Sequence, residues 1–174
     1  MIILETARLL LRQLTPDDAP FILTLLNDPA FLEYIGDRGV HTLEDARQYI
    51  RQSPMAMYKR EGFGLYLTAL SENNTPIGIC GLIKRDGLED VDIGFAFLPQ
   101  YRGQGYAYEA AAATMTYGYN SVGLKRIVAI THPDNTPSIK LLERLGMTFS
   151  GMIRLTPDDS EIKLFASAHS VRED

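Results

Sequence analysis

Gly103 and Gly105 stand one residue apart in the run Gln100-Tyr101-Arg102-Gly103-Gln104-Gly105-Tyr106-Ala107. The run lies between an apolar, strand-like stretch (residues 91–98) and a helix-like stretch that begins near Gly105. A strand, a glycine turn and a helix N-terminus together make an anion site. The turn exposes backbone N–H groups, and the helix adds the positive end of its dipole. Glycine leaves the backbone open to a phosphate that a Cβ would hold off. The expected ligand is therefore phosphorylated and held mainly by main chain. Two commoner phosphate loops are excluded. A Walker A loop needs Lys and then Ser or Thr after its last glycine, and none follows here. A dinucleotide fingerprint counted from Gly103 needs Gly or Ala where Tyr108 stands.

Other reactive side chains are few. Asp92 shares a strand face with Gly94 and Ala96, whose small side chains leave room for a ligand. Cys80, the only cysteine, alternates with apolar neighbours and reads as a small buried side chain. His132 precedes Pro133 at a strand end and reads as a loop residue or a substrate contact, while His41 and His169 have no partner at a useful spacing. No Cys, His and acid cluster has metal-ligand spacing, so no metal is expected.

The elements that must position these residues are legible from patterning. Residues 8–14 read as a strand, and Thr15-Pro16-Asp17-Asp18 as a helix start. Asp28-Pro29 interrupts that helix. Thr42-Leu43-Glu44-Asp45 resembles a capping box, and Pro54 begins a further helical piece that Gly62 ends. Residues 63–70, 76–84 and 89–98 read as an antiparallel meander with turns at Asn73-Asn74 and Asp86-Gly87. A helix over 104–119, a strand over 125–132, a helix from Asn135 to a stop at Gly146, and strands over 147–155 and 160–167 complete the chain. The strands on either side of the 104–119 helix are joined by a crossover and should be parallel. The expected fold class is α/β: a mixed, mostly antiparallel sheet with helices on both faces and one parallel pair.

The chain has 174 residues, enough for one domain spanning 1–174, with 45% hydrophobic and 22% charged residues. A net charge of −5 argues against a nucleic-acid partner and is compatible with a cationic substrate. No apolar run approaches the roughly 20 residues of a membrane span. No signal peptide is visible, so the expected setting is the cytoplasm, as a monomer or homodimer.

In their order along the chain, several blocks resemble the GCN5-related N-acetyltransferase (GNAT) family, closest to the branch that acetylates ribosomal-protein N-termini. They are Glu5-Thr6-Ala7-Arg8-Leu9-Leu10-Leu11-Arg12, Pro76-Ile77-Gly78 with Gly81, Asp92-Ile93-Gly94-Phe95, the Q-x-x-G-x-G loop with Tyr108-Glu109-Ala110, Leu124-Lys125-Arg126-Ile127, and Asn135-Thr136-Pro137-Ser138 on to Met147. The resemblance covers roughly residues 5–165.

It implies acetyl-CoA (acetyl-coenzyme A) as donor and a primary amine as acceptor, a protein N-terminus or a small molecule. The pyrophosphate is expected on backbone N–H groups of Arg102, Gly103, Gln104, Gly105, Tyr106 and Ala107. The pantetheine arm is expected along the strand end at Phe95, Phe97 and Leu98, where a backbone N–H can also polarise the thioester. Asp92 is implied as the base, directly or through a water; it reads equally as an acid paired across strands. Many members carry a Tyr acid where Leu142 stands here. Ser138 can bond the sulfur or merely fill the first helical turn. Asn135 can cap its helix, bond the pantetheine, or both. Arg102 can reach a phosphate or remain a solvated loop charge. The missing Tyr keeps open an alternative, a non-catalytic acyl-coenzyme A binding or sensing module on the same fold. The acceptor is not readable; residues 31–60 and the turn at 157–160 are expected to select it.

Overall fold

The computed structural model describes residues 1–168, so His169 lies outside the described residues. One sheet of eight strands runs through the fold in the order β1-β2-β3-β4-β5-β6-β8-β7, where β1 is Ile2–Glu5, β2 Leu9–Gln13, β3 Leu65–Leu70, β4 Pro76–Ile83, β5 Asp92–Phe97, β6 Arg126–Thr131, β7 Thr148–Ile153 and β8 Ile162–Ala168. Among the described residues only β5 and β6 pair in parallel. The mixed sheet and its single parallel pair match the sequence expectation.

Helices cover both faces. Helices α1 (Ala19–Leu26), α2 (Pro29–Tyr34), α3 (Leu43–Gln52) and α4 (Pro54–Glu61) fill the chain between β2 and β3. Helix α5 (Tyr106–Tyr117) crosses from β5 to β6, and α6 (Thr136–Arg144) joins β6 to β7. Strand alternation divides the core. Leu9, Leu11, Tyr66, Cys80 and Leu82 pack with Ala110, Ala111 and Met115 of α5, whereas Leu10, Leu67, Ala69 and Ile79 pack with Ile22, Leu25 and Ile50 of α1 and α3. Among the described residues no helix is long and apolar enough to cross a membrane.

Local chemistry explains most boundaries. The capping box at α3 is present: Thr42 Oγ1 accepts from Asp45 N–H at 3.0 Å, and Asp45 accepts from Thr42 N–H at 3.2 Å. Gly62 ends α4 with φ +81°. Two elements depart from expectation. Ile2–Glu5 forms a strand because it pairs antiparallel with β2, a partner that periodicity over four residues does not reveal. Asp28-Pro29 interrupts one helix and begins another: the Asp28 carboxylate accepts from Phe31 N–H, and Pro29 takes the first turn.

Gly81 is where β3 and β4 meet most closely, and a Cβ there would lie 2.0 Å from the Gly64 carbonyl oxygen. That atom accepts from Leu82 N–H and cannot retreat cheaply. Gly81→Ala should cost about 1–3 kcal/mol, read as a lower urea midpoint; an unchanged midpoint would show that the strands separate there freely.

Candidate functional site

β5 and β6 form one Cα pair, Asp92 with Val128, fixed by Val128 N–H donating to the Val91 carbonyl at 3.0 Å. Beyond it they diverge. Leu98 N–H donates to the Ile77 carbonyl on β4 at 2.9 Å, so the even-numbered peptide groups of β5 face β4. Those of Ile93, Phe95 and Phe97 therefore face the gap. Phe95 and Phe97 stand where an extended amide chain could pair with them. Leu98 does not, because its N–H is taken by Ile77 and its carbonyl accepts from Tyr101 N–H at 3.1 Å.

The glycine loop lies at the mouth of this gap. Gly103 and Gly105 have φ +73° and +83°, a region that other residues enter only with strain. Nothing lies within 4 Å of a Cβ placed at Gly103, and residues 102–105 are exposed. Arg102 N–H is already bound to the Pro99 carbonyl, so the open main-chain donors begin at Gly103 rather than Arg102. The first helical bond of α5 runs from Glu109 N–H to the Gly105 carbonyl, which leaves the Tyr106, Ala107 and Tyr108 amides without a helical acceptor.

Two ion pairs fix the loop. Arg8 donates through Nη1 to the Gln104 carbonyl at 3.0 Å and through Nε to Glu109 at 2.8 Å, and its guanidinium stacks 4.3 Å above the Tyr106 ring. Glu109 also accepts from Thr6 Oγ1 and Arg8 N–H. Against its partial burial, these bonds hold the carboxyl below its ordinary value. The second pair corrects the expectation for Arg102. Its side chain is neither free in the loop nor aimed at a phosphate. It turns inward, donating to the Phe97 carbonyl at 2.8 and 3.1 Å and to Asp28 at 2.8 Å. Asp28 is the buried cap of α2, so Arg102 joins the glycine loop, the end of β5 and α2 in one knot.

The gap opens on one side into a cleft of about 580 Å³. Tyr34 of α2, Tyr49 of α3 and Met57 of α4 line one wall, Gly94 and Ala96 the floor, and Asp159 and Ser160 the β7–β8 turn. Both segments expected to select the acceptor thus border one space. Tyr34 packs edge-on against His132, with ring centroids 5.6 Å apart. His132 Nδ1 accepts from Asp134 N–H, which in the neutral ring leaves the proton on Nε2.

Asp92 lies beneath this cleft. It is fully buried, and Arg85 Nε donates to its Oδ2 at 2.6 Å while Oδ1 has no hydrogen-bond partner among the described residues. Burial pushes its carboxyl up, against the pull of Arg85. Arg85 lines the cleft; Asp92 does not. Asp92 is therefore not a solvated acid but an ion-paired, buried one.

Asn135, Ser138 and Leu142 line the same cleft from the start of α6. Asn135 Oδ1 accepts from Ser138 N–H at 3.4 Å, so its amide nitrogen is left over. Leu142 is buried and offers no proton. Cys80 is buried with its thiol pushed up to about 12 by desolvation, which excludes a thiolate nucleophile at neutral pH. Lys140 is exposed, whereas Arg144 stacks 4.4 Å above Tyr108 and joins α6 to α5.

Sequence reasoning missed Arg8, Arg85 and Tyr49. A signal existed for Arg85: Ile83 pairs with Asp92, and Arg85, two residues past Ile83, falls on the same face. For Arg8 and Tyr49, only the tertiary fold brings them to the site.

An acetyltransferase (GNAT) domain family matches residues 8–148. An uncharacterized N-acetyltransferase of Bacillus subtilis (strain 168), YnaD, is 30% identical over 151 residues, 87% of this chain and 85% of that one. An acetyltransferase from Agrobacterium tumefaciens str. C58 superposes with a TM-score of 0.82 at 25% identity, covering 95% of this chain and 94% of its own. RimL, a ribosomal L7/L12 alpha-N-protein acetyltransferase solved in complex with coenzyme A, shares the fold with a TM-score of 0.80 at 21% identity, over 97% of this chain and 98% of its own. The chain belongs to the GNAT acetyltransferase family, whose members use acetyl-coenzyme A, and it is an acyltransferase.

Proposed function

We propose that the chain, working as one N-acetyltransferase domain, moves an acetyl group from acetyl-coenzyme A to a primary amine by direct attack, with both substrates bound together. The observation that carries this is the unpaired edge of β5, which runs between an exposed glycine turn before α5 and a cleft floored by Gly94 and Ala96. RimL, of the same fold, was solved with coenzyme A, which supports placing the coenzyme on this path.

Acetyl-coenzyme A supplies the activated thioester; the chain supplies position and proton transfer. Main-chain amides from Gly103 to Ala107 hold the pyrophosphate, where the helix dipole favours negative charge. The Phe95 and Phe97 amides face the pantetheine arm and the thioester oxygen. Asn135 offers its free amide nitrogen, and Ser138 its hydroxyl, to the arm and the sulfur. The amine nitrogen bonds the acetyl carbon as the carbon–sulfur bond breaks. Its proton passes through water to Asp92 Oδ1, and the electron pair leaves on sulfur. A thiol pKa of about 8.5 makes that thiolate a tolerable leaving group, so Leu142 in place of a tyrosine is no bar. The inert Cys80 thiol supports a route without an acyl-enzyme.

Gly103→Val should weaken coenzyme binding roughly tenfold or more, about 1.4 kcal/mol, by isothermal titration. Gly123→Val is the control: Gly123 has φ +85° with nothing within 4 Å, so it carries the same strain away from the cradle. Equal affinity for the two variants would remove the loop as the pyrophosphate site.

The pH dependence follows from burial. Because the carboxyl of Asp92 is raised, its basic form is lost as pH falls at a higher pH than for an ordinary carboxylate of about 4. The acid limb of kcat/KM should therefore lie above that value. Asp92→Asn should abolish this limb and lower kcat by roughly 100-fold or more, while coenzyme affinity persists. An unaltered pH profile in Asp92→Asn would leave Asp92 only its ion pair.

A further inference from the structure

Arg85 leaves the end of β4 and turns under the cleft wall, where its Nε donates to Asp92. That bond uses one edge of the guanidinium. Neither terminal nitrogen has a hydrogen-bond or ion-pair partner among the described residues, although the side chain is only 26% exposed. A buried carboxylate thus holds a guanidinium in place with its fork still open to the cleft. Arg38, in the loop between α2 and α3, lines the same cleft and is itself without an ion pair or hydrogen bond among the described residues. Tyr49 stands on the wall with them. Burial raises its phenol, and Arg38 and Arg85 both oppose that rise, which places both cations within electrostatic reach of one point.

We propose that the acceptor amine carries an oxyanion, a carboxylate or a phosphate, bound by the free nitrogens of Arg85 and by Arg38. This deepens the acetyltransferase reading and rests on it. The planar fork of a guanidinium matches two oxygens of one anion, and a fork fixed beforehand loses little side-chain freedom on binding. The carboxylates that also line the cleft, Glu33 and Asp159, are exposed at its mouth, where solvent screens them. His132 also faces the cleft, and its Nδ1 is occupied by Asp134 N–H. Among the described residues Arg85 is thus the one partly buried charge on the cleft wall with donors to spare, Arg38 adds a second positive charge at the mouth, and both are opposite in sign to the chain as a whole. A polyamine would meet Arg38 and Arg85 as like charges.

The test is kcat/KM for matched amines that differ only in the anion: serine against serine amide, and phosphoethanolamine against ethanolamine, with spermidine as the polycation. The anionic member should be preferred roughly tenfold or more, and the pair with the wider gap names the oxyanion. The amide has the less basic amine, which favours it, so a preference for the acid is not an effect of amine basicity. Arg85→Gln should abolish the preference through KM for the anionic member. Arg38→Glu, at an exposed position that leaves folding intact, should shift it toward spermidine. Equal or better use of the neutral or polycationic amines by the unaltered protein overturns the inference and leaves the acetyltransferase reading standing. If no amine turns over, that reading fails instead. The oxyanion site is then read by binding of the same pairs to the coenzyme-loaded protein, and equal affinity within each pair overturns it.

Discussion

β5 and β6 run side by side for a single residue pair, Asp92 with Val128, and then separate. Every feature of the site depends on that separation. In a continuous sheet the peptide groups of Phe95 and Phe97 would be occupied by the neighbouring strand. Here those of Phe95 and the Phe97 N–H face the gap, while Arg102 occupies the Phe97 carbonyl. The crossover through α5 brings the helix N-terminus to the open end of the same gap, because only a 3-10 turn at Pro99–Tyr101 and the short glycine loop connect β5 to the helix. Unpaired strand edge, helix dipole and exposed amides are thus one geometric consequence of two parallel strands parting.

A parted pair needs bracing, since open backbone groups invite the sheet to close or fray. The braces come from far along the chain. Arg102 fastens the Phe97 carbonyl at the tip of β5 and reaches Asp28, which simultaneously caps α2. Arg8 fastens the Gln104 carbonyl and Glu109, so the β1–β2 turn holds the loop from the other side. Asp28 and Arg102 are 74 positions apart, and Arg8 and Glu109 are 101 apart. The glycine loop is therefore tied from both sides by contacts distant in sequence. The amide groups can converge because two arginines act as ties rather than as phosphate ligands.

This division of labour explains what was legible in the sequence. The glycine loop, the meander, the capping box at Thr42 and the crossover all follow from rules that operate within about a dozen residues, and each appears in the structure. The side of the loop to which Arg102 turns follows no such rule. A guanidinium beside two glycines suits a phosphate and a buried carboxylate equally well, and only the position of Asp28 decides between them. Helix α2 escaped notice for a related reason: Asp28-Pro29 is both a helix breaker and a helix start, and six residues carry too little periodicity to choose. Asp92 is singled out by the family resemblance of its strand, with its small neighbours in support. Its ion pair needed the β4–β5 register, which sets Arg85 over the same face as Asp92.

Charge is where whole-chain and local readings part. A net charge of −5 describes a surface, and at physiological salt, fields from exposed groups fade within about 8 Å. Inside a narrow cleft the few partly buried groups dominate, because less solvent screens them. There the buried acid is already paired, and its partner directs unused donors inward. Asp92 therefore does more than lower the cost of burying Arg85. By fixing one edge of the guanidinium it leaves the other edge free at the cleft wall. Burial raises the proton affinity of the acid and the Arg85 bond moderates it, so on the proposed function a change to Asp92 would reach both the proton path and the orientation of Arg85.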